Sequence, residues 1–203
     1  MTKIQYIFGD LPTLETERLI LRKLKPDDAA DIFAYASDSE VARYTTWQPH
    51  ASIENSREFI NHVLGQYDRG EVAPWAMVHK RDDRMIGTVG FIDWHVRHAR
   101  AEIGYALARP YWNRGLMTEA MRAVVDFGFR AMHLNRIQGV CVVENIGSGR
   151  VMEKVGMTLE GVRQEYEVAD TSGTYLDIAM YAILRREWEV DRAEDYPDKD
   201  ATD

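Results

Sequence analysis

The chain has 203 residues, 45% of them hydrophobic and 29% charged, with a formal net charge of −8. That length suits one domain with a full core, and the acidic balance argues against nucleic acid as the main ligand. A single cysteine, Cys141, excludes an internal disulfide and fits a reducing cytoplasm. No apolar run approaches a membrane span, and the polar N-terminus has no signal-peptide core, so a cytoplasmic chain with no membrane partner is expected.

Glu17–Leu24 reads as a strand, and Pro26-Asp27-Asp28 then opens a helix through about Ala36. A second helix spans Ser52 to Gln66, with Ser52 as its N-cap and Ile53, Phe59, Ile60, Val63 and Leu64 on the apolar face. From Pro74 the pattern changes to strands: Trp75–His79, Met85–Trp94 and Arg100–Leu107, separated by charged turns. The helix after Gly115 is strongly amphipathic. Glu119, Arg122, Asp126 and Arg130 share one face, and Met117, Ala120, Met121, Val124 and Phe127 the other. Arg136–Val143 is a short strand and Asn145–Val155 a helix stopped by Gly156. Two strands, near Thr158–Ala169 and Thr174–Leu184, are joined by Asp170-Thr171-Ser172-Gly173. The order β-α-α-β-β-β-α-β-α-β-β predicts an α+β fold on a mixed, mostly antiparallel sheet.

Three positions carry chemistry. The first is Gly115, where a basic residue, a glycine and a helix start together form a site suited to phosphate. A tight turn with no ligand explains the same residues. The second is Glu102. Alternation along Ala101–Leu107 puts it on one face with Gly104 and Ala106, which suggests a face kept open for a ligand. The bland alternative is a cross-strand ion pair with Arg100 or Arg109. The third is Asn145 and Ser148, which have helix N-cap and N3 spacing. Cys141 reads as a small buried hydrophobe, and the six histidines show no metal-ligand spacing.

In this order, Glu15-Thr16-Glu17-Arg18-Leu19-Ile20-Leu21-Arg22, Ala101-Glu102-Ile103-Gly104-Tyr105, Tyr111-Trp112-Asn113-Arg114-Gly115-Leu116-Met117-Thr118-Glu119-Ala120, Asn145-Ile146-Gly147-Ser148 and Glu153-Lys154-Val155-Gly156-Met157 resemble the GCN5-related N-acetyltransferases. The closer resemblance is to their RimJ/RimL-type branch, which acetylates ribosomal-protein amino termini. It runs from about Leu14 to Trp188. It implies a seven-stranded sheet with helices on both faces, a splay between the fourth and fifth strands, and one acetyltransferase domain over residues 1–190. An acidic tail without fixed structure would occupy 191–203. It also implies acetyl-CoA as co-substrate, an amine acceptor, no metal, and often a homodimer.

Carried over residue by residue, Asn113, Arg114, Gly115, Leu116, Met117 and Thr118 would hold the pyrophosphate. The backbone of Tyr105, Ala106 and Leu107 would bind pantetheine as an added strand, with Asn145 bonding the same arm. Glu102 would deprotonate the acceptor, because an amine attacks a thioester only when neutral. Ser148 would assist thiolate departure, since Met152 stands where many relatives carry an acidic tyrosine. A further carboxylate falls near Glu167, or on Glu165 if the register slips by two. Met117 stands where the family has Gly or Ala, so its side chain must point away from the phosphates. Trp47, His50, Trp75, Trp94 and His95 could line the acceptor pocket. Two other classes share these features: a non-catalytic acyl-CoA-binding module, and a nucleotide-phosphate binder, which the absence of a Gly-x-x-x-x-Gly-Lys-Ser/Thr loop disfavours. The acceptor itself stays open between a protein or peptide N-terminus and a small amine such as a polyamine or an antibiotic.

Overall fold

A computed structural model describes residues 3–169 and 173–195. In chain order it contains α1 (Lys3–Phe8), β1 (Leu14–Glu15), β2 (Leu19–Arg22), α2 (Ala29–Ala36), α3 (Ser39–Ala42), α4 (Ile53–Arg69), β3 (Trp75–His79), β4 (Arg84–His95) and β5 (Arg100–Leu107). There follow α5 (Leu116–Arg130), β6 (Arg136–Val142), α6 (Ile146–Lys154), β7 (Thr158–Val168), β8 (Tyr175–Leu184) and α7 (Arg185–Asp195). The expected strands and helices are all present. Three short helices, α1, α3 and α7, add to them.

The strands form one sheet in the order β1-β2-β3-β4-β5-β6-β8-β7. It has eight strands and not the expected seven, because Leu14 and Glu15 pair with Leu21 and Ile20. Every neighbouring pair is antiparallel except β5 and β6. α7 runs through 191–195, so the segment expected to lack structure begins as helix. The rest of that tail, 196–203, and the turn residues Asp170, Thr171 and Ser172 lie outside the described residues.

Helices cover both faces, as two adjacent strand positions show. Trp75, opposite Val89, sets its indole edge-on to Phe127 of α5 at 5.4 Å. Thr88, next along β4 and therefore on the other face, is hydrogen-bonded to the Tyr35 hydroxyl of α2. Trp75 is fully buried and donates its indole N–H to the Pro12 carbonyl at 2.7 Å. Its truncation to alanine would cost about 3–5 kcal/mol. Ser52 acts as read, accepting from the Glu54 amide at the start of α4, but the helix runs past the expected Gln66 to Arg69, where left-handed Gly70 ends it. Pro26 to Asp28 form a single 3-10 turn before α2. There the buried Asp28 carboxylate holds the Arg22 guanidinium at 2.7 and 2.8 Å and accepts the Lys25 amide.

Candidate active site

β5 and β6 pair only at Arg100↔Arg136, Ala101↔Ile137 and Glu102↔Gln138. Beyond Glu102 the two parallel strands part, which is the expected splay. Glu102 sits at its base and accepts a hydrogen bond from the Gln138 amide, Nε2 to Oε2, at 3.0 Å. The Gln138 amide oxygen in turn accepts from Arg136 Nε at 3.2 Å, which fixes which way the amide faces. Neither arginine offered by the sequence is its partner: Arg109 is paired with Asp38 at 2.7 Å, and Arg100 lines a neighbouring groove. One inference from the alternation needs correction. The space over Gly104 is not open, because a bulge in β4 lays Ile92 across it, and a Cβ there would stand 2.9 Å from Ile92 Cγ2.

Tyr105 leaves the opposite face of β5 and crosses the splay to α6. Its hydroxyl lies 2.7 Å from Ser148 Oγ and donates to the Ser148 carbonyl at 3.1 Å. The Ser148 side chain also hydrogen-bonds Cys141. Ser148 is oriented from the other side by Asn145, whose Oδ1 accepts the Ser148 amide at 3.2 Å as the helix cap. Burial pushes the phenol of Tyr105 well above its usual range and also raises the Cys141 thiol. Met152 is fully buried, with its sulfur packed over Gly139, and has no polar role. The family pattern uses only the backbone of Tyr105; its hydroxyl contact spans 43 residues and leaves no local signal in the sequence.

The loop before α5 is shaped by two left-handed residues, Asn113 (φ 59) and Gly115 (φ 74). Asparagine and glycine are the residues that adopt this conformation at least cost. No side chain caps the helix at Gly115, so the first-turn amides of Leu116, Met117 and Thr118 remain available to an anion. A Cβ on Gly115 would have only Arg18 Nη2 nearby, at 3.5 Å. Met117 is buried in the core, which removes its side chain from the loop as required. Arg114 is exposed and lies over the Tyr111 ring at 5.4 Å. Residues that fit a pyrophosphate are therefore in place.

Two side-chain anchors that no sequence periodicity encodes support this loop. Trp112 donates its indole N–H to the Leu107 carbonyl at 2.7 Å, tying the loop to the end of β5 and engaging one acceptor expected to serve pantetheine. Arg18 donates to the Arg114 carbonyl at 2.9 Å and, through Nε, to Glu119 Oε2 at 2.6 Å. Glu119 Oε1 also accepts from the Arg18 amide and the Thr16 hydroxyl. Burial raises this carboxyl, but those three hydrogen bonds together hold it below its ordinary value. A cavity of about 460 Å³ runs beside this Thr16–Arg18–Glu119 cluster, lined by Thr16, Arg18, Gly115, Thr118 and Arg122 among others.

Glu167 is not brought to Glu102. It is exposed on edge strand β7 opposite Leu176, six positions along β8 from Ala182, the partner of Gln138. That is about 20 Å along the strand. It shares the sheet face of Glu102, at the end where β6 gives way to α6. Glu165 occupies a bulge (φ 50), its amide bound to Asp177. Of the aromatic candidates, Trp75 and Trp94 are core, the latter 6.2 Å from Phe8, and so do not line a pocket. Trp47 stacks with His50, which bonds Ser56, and His95 lies beside His98. Among the described residues no group of three or more His, Cys, Asp or Glu could hold a metal ion, and no helix is long and apolar enough to cross a membrane.

The acetyltransferase (GNAT) domain model matches residues 18–158. An uncharacterized N-acetyltransferase, p20, of Bacillus licheniformis is 34% identical over 88% of this chain and 99% of its own. The crystal structure of a GNAT-family acetyltransferase from Bacillus anthracis superposes with a TM-score of 0.75 at 31% identity, covering 87% of this chain and all of that one. Two further matches have named acceptors. Spermidine N(1)-acetyltransferase of Escherichia coli K12 is 26% identical over 83% of this chain and 87% of its own. RimL, a ribosomal L7/L12 alpha-N-protein acetyltransferase in complex with coenzyme A, has a TM-score of 0.75 at 22% identity, over 85% of this chain and 98% of that one. These matches, on a fold with splayed strands and an uncapped start to α5, establish that the chain belongs to the GNAT family and is an N-acetyltransferase that takes its acetyl group from acetyl-CoA.

Proposed function

We propose that this enzyme acetylates the α-amino group of a protein or peptide, in the manner of the RimJ/RimL-like branch. The observation that carries this reading is the shape of the sheet face around Glu102. A shallow groove of about 480 Å³, lined by Arg100, Arg136, Gln138, Glu160, Gly161, Val162, Arg163 and Met180, opens beside it. An extended chain can lie along such a groove. A polyamine site needs carboxylates to hold its second ammonium, and here arginines from three strands stand in that place.

Acetyl-CoA supplies the acyl group and a thiolate leaving group. Glu102, held by Gln138, takes the proton of the acceptor ammonium, directly or through a water, so that a neutral amine can attack. A backbone N–H near Tyr105 stabilises negative charge on the acyl oxygen. Ser148 donates a hydrogen bond to the departing sulfur. Asn113 to Thr118 bind the pyrophosphate through first-turn amides and Arg114, while Asn145 and the Tyr105–Leu107 backbone orient the pantetheine arm. The transfer is direct, and Cys141, with its raised thiol, takes no part as nucleophile.

The test is a competition. Purified enzyme with acetyl-CoA is offered free-amino peptides, the same peptides with blocked N-termini, and spermidine, and products are identified by mass. Acetylation confined to free α-amines supports the reading. Faster turnover of spermidine than of any peptide would overturn it in favour of a polyamine acetyltransferase.

A further inference from the structure

Resting on the acceptor reading above, we propose that the groove beside Glu102 selects peptides whose second or third residue is acidic, with Arg100 and Arg163 as the counter-charges. The groove is cationic in a chain whose net charge is −8. Its three arginines come from β5, β6 and β7 and are not equivalent. Arg136 is neutralised: both of its terminal nitrogens bind Glu160 at 2.5 Å. Arg100 lies directly opposite Arg136 across the parallel pair. Like charges in that position destabilise a sheet, and Glu160 already serves the other arginine. Arg163 is held over the Tyr166 ring at 4.6 Å. Among the described residues neither Arg100 nor Arg163 has a carboxylate partner.

The opposite charge is collected at the base. Asp93 of β4 stands opposite Glu102 of β5, so two carboxylates share the place where the acceptor ammonium must arrive. Arg100 follows on the same face two positions away, about 7 Å along the strand. An extended peptide spans that distance in two residues, which puts its second or third side chain at the guanidinium while its amine meets Glu102. A carboxylate there fits; a lysine, or the far ammonium of a polyamine, would be repelled. Gln138 joins the two ends, bonding Arg136 with its oxygen and Glu102 with its amide N–H₂. The base and the arginine already neutralised by Glu160 are thus parts of one hydrogen-bonded unit, while Arg100 and Arg163 stand outside it.

The experiment compares kcat/KM for hexapeptides that begin Ser-Glu-Glu, Ser-Gln-Gln and Ser-Lys-Lys and are otherwise identical. The acidic peptide should exceed the neutral one by about 10-fold and the basic one by more, with the gap closing as salt rises from about 0.05 to 0.5 M. Arg100→Glu and, separately, Arg163→Glu should shrink or invert the preference; two positions guard against one variant failing to fold. Equal efficiency for the three peptides with the unaltered enzyme overturns this inference and leaves the peptide reading standing. Acetylation of spermidine with none of any peptide overturns both.

Discussion

The Tyr105 hydroxyl lies 2.7 Å from Ser148 Oγ, across a gap between strands that the sheet itself does not bridge. Because burial raises the phenol, Tyr105 stays neutral and serves Ser148 as a hydrogen-bond partner and not as a proton source. On the mechanism proposed above, it positions the seryl hydroxyl. Tyr105→Phe and Ser148→Ala should each lower kcat by about 10-fold, with the KM for acetyl-CoA nearly unchanged. Since they act through one group, the double variant should be no slower than Ser148→Ala alone. Losses that multiply would show that Tyr105 works independently of Ser148.

The elements and the loop were legible because their signals are local. Ser52, Gly115 and Asn145 each state a helix boundary within four residues, and the alternation of Ala101–Leu107 correctly set Glu102 and Tyr105 on opposite faces. What escaped is what the fold brings together from afar. Gln138 meets Glu102 across 36 residues and Arg18 meets Glu119 across 101, and no periodicity encodes either. The openness read from Gly104 failed for a different reason. A one-residue bulge at Ile92 changes which side chain covers that glycine, and nothing in β4's sequence announces it.

Glu102 and Glu167 share a sheet face but stand at opposite ends of the splay, so substitution separates them. Glu102→Gln keeps the shape and the bond to Gln138 while removing the proposed base. It should reduce turnover by about 100-fold or more and leave acetyl-CoA affinity as it was. Glu167→Gln, made at an exposed edge position, should change kcat far less. The reverse ranking, measured under saturating acetyl-CoA, would move the base to Glu167.

The latch of Glu119 onto Thr16 and Arg18 joins the second strand to the phosphate-loop helix. Glu119→Gln should cost about 1–3 kcal/mol at neutral pH, read from denaturant unfolding. The sign with pH follows from the carboxyl being held below its ordinary value of 4.5. Its contribution is full well above that value and is lost as pH falls through the lower, folded one. The stability gap between the native enzyme and Glu119→Gln should therefore be full at neutral pH and close progressively as pH falls below 4.5. A gap that is constant with pH would mean the carboxylate charge is not what holds the latch.

Gly115 and Met117 lie two residues apart and should fail in different ways. At Gly115 the obstacle to a side chain is the left-handed backbone, φ 74, since a Cβ has room beside Arg18. Alanine there costs about 1–2 kcal/mol if the loop keeps its shape. If the backbone relaxes instead, the first-turn amides turn away from the pyrophosphate. In that case Gly115→Ala should weaken acetyl-CoA binding by about 10-fold. Met117 sends its side chain into the core, and Met117→Ala opens a cavity worth about 2–5 kcal/mol of stability. Below its lowered melting temperature that variant should bind acetyl-CoA as tightly as the parent. Calorimetric titration of both variants decides the matter: tighter or much weaker binding by Met117→Ala would show that this side chain shapes the loop after all.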